Sequence, residues 1–139
     1  EKILSKNNEG KFICVGLDTD INKIPKFLQG DPDAVFKFNK SIIETTREYA
    51  ASYKINFAFY EQAGSRGIIE LEKIVELIPQ DILSIADAKR GDIGNTSEQY
   101  AKAFFETLPK CMQNLFMNIL ILMPLHCILI WVKIPYSLF

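Results

Sequence analysis

A chain of 139 residues accommodates one ordinary domain, and its 16 basic and 17 acidic side chains leave a net charge of −1. That balance excludes the strong positive field that draws nucleic acid or an anionic membrane, so neither is an expected partner. Three cysteines (Cys14, Cys111, Cys127), a single histidine (His126) and no amino-terminal secretory pattern argue for reduced thiols in the cytoplasm and against a zinc site.

Phe12-Ile13-Cys14-Val15-Gly16-Leu17 reads as a short buried strand. Asp31-Pro32 then opens a helix, with Asp31 as N-cap and Pro32 at the first helical position, and Val35, Phe38, Ile42 and Tyr49 fall near one face. A second strand runs from Tyr53 to Tyr60. Its alternation sets Lys54, Asn56, Ala58 and Tyr60 on one side and Ile55, Phe57 and Phe59 on the other. Ile68, Leu71, Val75 and Ile78 mark the next helix, which Pro79 stops. Ile82 to Ala86 is the third strand, and Thr96-x-x-Gln99 reads as a capping box for a helix through Ala103 and Phe104. Strands alternating with helices predict βαβ units, an α/β fold with a parallel sheet.

The chemistry concentrates after the third strand, in Asp87-Ala88-Lys89-Arg90-Gly91-Asp92. With no Gly-rich Walker or dinucleotide pattern there is no expected cofactor, and reactive work falls to acids and lysines. A strand would point Ile85, Asp87 and Lys89 the same way, with Asp92 following in the loop. Taken by composition alone, such a cluster is a charged loop facing water. Its neighbours argue otherwise. Asp87-x-Lys89-x-x-Asp92 followed by Ile93-Gly94-Asn95-Thr96 resembles the active-site segment of the orotidine 5′-phosphate decarboxylase family. Val15-Gly16-Leu17-Asp18 resembles the end of that family's first barrel strand, and Tyr53 through Glu61 resembles its second. The likeness covers roughly residues 1 to 107, in the family's order.

The resemblance implies a (β/α)₈ TIM barrel with catalytic groups at the carboxyl ends of the strands, of which residues 1–108 would supply about three of eight. It also implies decarboxylation of orotidine 5′-phosphate to uridine monophosphate in pyrimidine synthesis, without a metal. Lys54, Asp87, Lys89 and Asp92 become an alternating charged network around the scissile carboxylate, with Lys89 the proton donor. Asp18 and Asn56 would contact the ribose or that network. Asp92, with Thr96 beside it, would reach into a neighbouring subunit's site, which implies a homodimer. Taken singly, Lys54 reads equally as a strand-start lysine in water and Asn56 as a satisfied buried amide; Arg66 and Arg90 read as surface or loop residues. A sugar-phosphate decarboxylase or synthase of the same superfamily, which also carries Asp-x-Lys-x-x-Asp and uses a divalent metal, is the alternative activity.

After Leu108 the text changes character. Residues 109–139 form an apolar tail, and only three strands precede it, whereas a barrel of this class needs about 200 residues. Read with the last nucleotide of each codon joined to the first two of the next, Leu122 to Phe139 can be back-translated into a stretch resembling the family's fourth strand and its Pro-Tyr-Met-Gly loop. Three letters of that reading are compulsory: Met123-Pro124 must give alanine, His126-Cys127 leucine and Trp131-Val132 glycine. The tail is therefore read as a frameshift product and the chain as an inactive fragment. A membrane anchor over Leu115 to Val132 is the rival, weakened by Asn118, Pro124 and His126.

Overall fold

Apolar side chains recurring every second residue or every third to fourth divide this chain into short strands and amphipathic helices, and the computed structural model describes them over residues 1–90 and 92–105. In chain order they are α1 (Lys2–Asn8), β1 (Ile13–Gly16), α2 (Ala34–Thr46), β2 (Ala50–Asn56), α3 (Ala58–Glu61), α4 (Gly64–Glu76), β3 (Leu83–Asp87) and α5 (Gly94–Phe105). The strands are parallel in the order β1-β2-β3, which makes two consecutive βαβ units. Crossovers of one hand place α2 and α4 on the same face of the sheet, where they pack against each other.

That face holds the core. Tyr53 and Ile55 of β2, Ala86 of β3, Ile43 of α2 and Leu71, Ile74 and Val75 of α4 are all buried together. Each fully buried aliphatic side chain contributes roughly 1.5–3 kcal/mol. The opposite face is polar toward the strand ends. Lys54 pairs in register with Ile85, and Asn56 with Asp87, so these four share one side and are only partly buried. At the amino-terminal end of the sheet α1 packs against β2, and Lys6 Nζ is tied to Asp81 Oδ2 at 2.5 Å.

The α/β class and parallel sheet agree with the sequence reading, while several local expectations need correction. The first strand is not buried: Ile13 and Cys14 are exposed and Phe12 is 71% exposed, with β1 at one edge of the sheet. α2 begins at Ala34 rather than Pro32, and Asp31 is not its N-cap. Asp31 Oδ1 instead accepts the Asp33 N–H at 2.8 Å, an Asx turn that ends where the helix starts. Tyr49 lies beyond α2 in an exposed turn, off the helix's apolar face. β2 ends at Asn56, so Ala58 and Tyr60 do not share its polar side; they belong to α3. α5 starts two residues ahead of Thr96, which leaves that threonine inside the first turn rather than at a capping box.

Among the described residues no helix is long and apolar enough to cross a membrane. The apolar tail, with Cys111, His126 and Cys127, lies outside the described residues, as do the frameshift and anchor readings of it.

Candidate active site

A parallel strand ends with free carbonyls and a loop, so side chains on its last residues and just beyond it project into the space above the sheet. β1 delivers Asp18 there, β2 delivers Lys54 and Asn56, and β3 delivers Asp87 and Lys89. Two lysine–aspartate pairs form. Lys54 Nζ binds Asp18 Oδ2, and the other oxygen of that carboxylate accepts the Asn56 backbone N–H at 2.9 Å. The Leu17 N–H donates to the Lys54 carbonyl at 2.9 Å, so the strand ladder itself holds Asp18 beside β2.

The second pair is Lys89 Nζ with Asp87 Oδ1. β3 stops at Asp87, so Lys89 does not continue the strand's alternation as the sequence reading assumed. Lys89 has φ 49°, the left-handed region, and this kink folds its chain back toward the carboxylate two residues earlier. The Asp87 side chain is 13% exposed and that of Lys89 54%, so the acid is sheltered while the ammonium faces the open side. Arg90 sits outward of them. Its guanidinium donates to the Ala88 carbonyl at 2.7 Å, binds Glu61 and lies 5.7 Å from the centre of the Tyr100 ring. Those contacts brace the loop, as expected of a loop residue. Arg66 is exposed and donates to the Pro32 carbonyl.

Of the expected site residues, the structure gathers Asp18, Lys54, Asn56, Asp87 and Lys89 and leaves Asp92 and Thr96 apart. Asp18 pairs with Lys54, a contact between Asp18 and the charged network, while Asp87 pairs with Lys89. Asp92 is exposed and its Oδ1 accepts the next backbone N–H, that of Ile93, at 2.8 Å. Thr96 is exposed on α5.

Beneath Asp18 lies a set of polar side chains that the sequence reading did not single out. Thr19 Oγ1 donates to Asn39 Oδ1 at 2.7 Å, Asn39 Nδ2 donates to the Tyr60 hydroxyl at 3.2 Å, and that hydroxyl donates to the Leu17 carbonyl at 2.6 Å. Burial, with the Asp18 charge nearby, pushes the Tyr60 phenol far above its ordinary range, so it remains a donor. The available signal was Asn39, a polar residue set among Val35, Phe36, Ile42 and Ile43 on the packed stripe of α2.

Charged groups clustered at the carboxyl ends of adjacent parallel strands fit the (β/α)-barrel class, of which the described residues form a three-stranded part. Residues 11–111 match the model of the orotidine 5′-phosphate decarboxylase / HUMPS family, and the chain belongs to that family. It is 54% identical over 111 residues to the orotidine 5′-phosphate decarboxylase of Christiangramia forsetii, covering 78% of this chain and 40% of that one. With the Bacteroides fragilis enzyme of the same name the identity is 57% over 100 residues, 70% of this chain and 36% of the relative. The solved structure of Leishmania donovani OMP decarboxylase superposes with a TM-score of 0.61 at 36% identity, over 75% of this chain and 38% of that one. The chain thus spans 36–40% of the length of these curated relatives.

Proposed function

We propose that this chain carries the first part of an orotidine 5′-phosphate decarboxylase, with Lys54, Asp87, Lys89 and Asp92 as its catalytic groups and Asp18, Asn56 and Thr96 as substrate contacts. The observation that carries the reading is the convergence of two lysine–aspartate pairs at the carboxyl ends of three adjacent strands. Decarboxylation breaks the bond between C6 of the pyrimidine and its carboxylate. Carbon dioxide departs and the electron pair stays on C6, in an sp² orbital that the ring cannot delocalise. An ammonium held beside C6 meets that charge as it develops. Lys89 does so and then delivers its proton to C6, giving uridine monophosphate. Asp87, sheltered next to the substrate carboxylate, disfavours the ground state, whose negative charge leaves in the transition state. Lys54 and Asp92 keep the alternating charges compensated, since an unpaired buried ion is costly.

The complete enzyme acts in the cytoplasm as a homodimer on this small nucleotide. Asp92 and Thr96 reach the second subunit's site, and their exposure in the described chain supports that role. Residues beyond about 108 are a frameshift product, a reading supported by the end of the family match at residue 111. The 139-residue polypeptide by itself is then inactive, because the strands that would bind the substrate phosphate are missing, and with them the remote binding energy on which the chemistry draws.

The test is single-turnover formation of uridine monophosphate by the frame-restored, full-length enzyme with and without Lys89→Ala, in buffer treated with EDTA. The expected result is a metal-independent rate that the substitution abolishes. A loss smaller than about tenfold, roughly 1.4 kcal/mol of barrier, removes Lys89 from its role. Loss of the wild-type rate in EDTA, restored by magnesium, moves the chain to the sugar-phosphate branch of the family.

A further inference from the structure

Asp18 is held at its carboxylate by Lys54 and Asn56, yet its backbone is fixed from below by different groups. The residues on either side of it, Leu17 and Thr19, are the two ends of one buried chain of hydrogen bonds through Asn39 and Tyr60. Leu17, Asn39 and Tyr60 are each at most 2% exposed and Thr19 8%. Every link has a defined direction. The Thr19 hydroxyl gives to the Asn39 carbonyl oxygen, the Asn39 amide gives to the Tyr60 oxygen, and the Tyr60 hydroxyl gives to the Leu17 carbonyl. Such a chain tolerates no reversal, because the Leu17 carbonyl can only accept.

The relay joins three elements: the loop after β1, the middle of α2 and the turn of α3. Tyr60 is further pinned from the outside. α4 approaches so closely that a Cβ built on Gly67 would stand 1.9 Å from the Tyr60 carbonyl oxygen. The backbone that carries the Tyr60 ring is therefore held against α4.

We propose that Thr19, Asn39 and Tyr60 are positioning residues, a buried relay that clamps the backbone on both sides of Asp18 and so seats its carboxylate on Lys54 and the Asn56 N–H. This inference rests on the reading of Asp18 and Lys54 as part of the decarboxylase site, but its test needs no turnover. The Asn56 amide donates to Asp18 Oδ1, so its hydrogen exchange reports directly whether that carboxylate is seated. The amides of Leu71 and Ile74, in the buried face of α4, report the fold as a whole.

The experiment is residue-resolved hydrogen–deuterium exchange of the 139-residue chain, wild type against Tyr60→Phe and Thr19→Val, which cut the relay at its two ends while keeping side-chain shape. Asn56 is expected to exchange about tenfold faster in both variants while Leu71 and Ile74 keep their protection. Unchanged Asn56 exchange in the two variants overturns the proposal. So does a loss of protection shared equally by Asn56, Leu71 and Ile74, because that is the signature of a generally loosened core. A relay confirmed by exchange in a protein whose full-length form fails to decarboxylate would discard the functional reading and leave the clamp standing.

Discussion

Gly67→Ala is a substitution whose sign the structure reverses. In the interior of a helix, exchanging glycine for alanine ordinarily stabilises by about 1 kcal/mol, because glycine has more backbone entropy to lose. Gly67 lies within α4 and is buried, and a methyl group there would stand 1.9 Å from the Tyr60 carbonyl oxygen, 2.8 Å from its carbon and 3.0 Å from Ala63 Cβ. To open the closest contact to even 3.0 Å, carbonyl and methyl must separate by a further 1.1 Å (3.0 − 1.9). The obstacle is backbone rather than a swinging side chain, so α3 or α4 must move as a unit. Forcing a methyl into a packed site costs typically 1–3 kcal/mol, which cancels or exceeds the helix gain and leaves a net loss of up to about 2 kcal/mol. Urea unfolding followed by circular dichroism measures it, with Ser65→Ala at an exposed position of the same helix as control. A higher midpoint for Gly67→Ala, with unchanged slope, would refute the close approach of α4 to Tyr60.

Burial raises the Glu70 carboxyl above its ordinary value of 4.5, so its charged form is penalised in the folded state. A raised acid is unpenalised below its unfolded pKa and costs stability as pH rises through the folded value; Glu70→Gln should therefore raise the urea midpoint at pH 7, with the gain vanishing below about pH 4.5. A gain that persists at low pH would place its origin elsewhere. For the coding DNA, the expectation is a one-nucleotide shift near codon 108 whose restored frame continues the family's fourth strand; prompt stop codons in that frame would dismiss it. Expressed alone, the 139-residue chain is expected to yield no uridine monophosphate, and measurable turnover would mean that its tail completes the site.

The charged cluster was legible in the sequence because spacing of two along a strand dictates a shared side, which is why Lys54 and Asn56 emerged together. What escaped was where each strand ends. Phe57-Ala58-Phe59-Tyr60 continues the alternation of β2 on paper, yet the ladder to β3 ends with the Phe57 N–H on the Asp87 carbonyl at 3.1 Å, and two side chains capture the amides on either side. The Asn56 N–H goes to Asp18 at 2.9 Å, and the Asn56 side chain accepts the Ala58 N–H at 3.2 Å. Asp18 is distant in sequence, so no local pattern announces its part in the turn. Strand burial is likewise a property of neighbours: Ile13 and Cys14 have the composition of a core strand and stand at an edge. The relay was hidden for a related reason, since Thr19, Asn39 and Tyr60 are spread over three elements and only the fold brings them into line.

The left-handed backbone of Lys89 carries an implication for how this position can vary. A residue with a Cβ pays roughly 1 kcal/mol or more to hold that conformation, whereas glycine holds it without strain. Random substitution screened for foldedness alone should therefore enrich glycine at position 89, and each such winner would have discarded the ammonium. Under the role proposed for Lys89, screening the frame-restored, full-length enzyme for turnover should do the opposite and retain the strained lysine. The two selections diverge at a single backbone angle, and a library sorted both ways would separate what the loop prefers as a polymer from what the proposed chemistry asks of it.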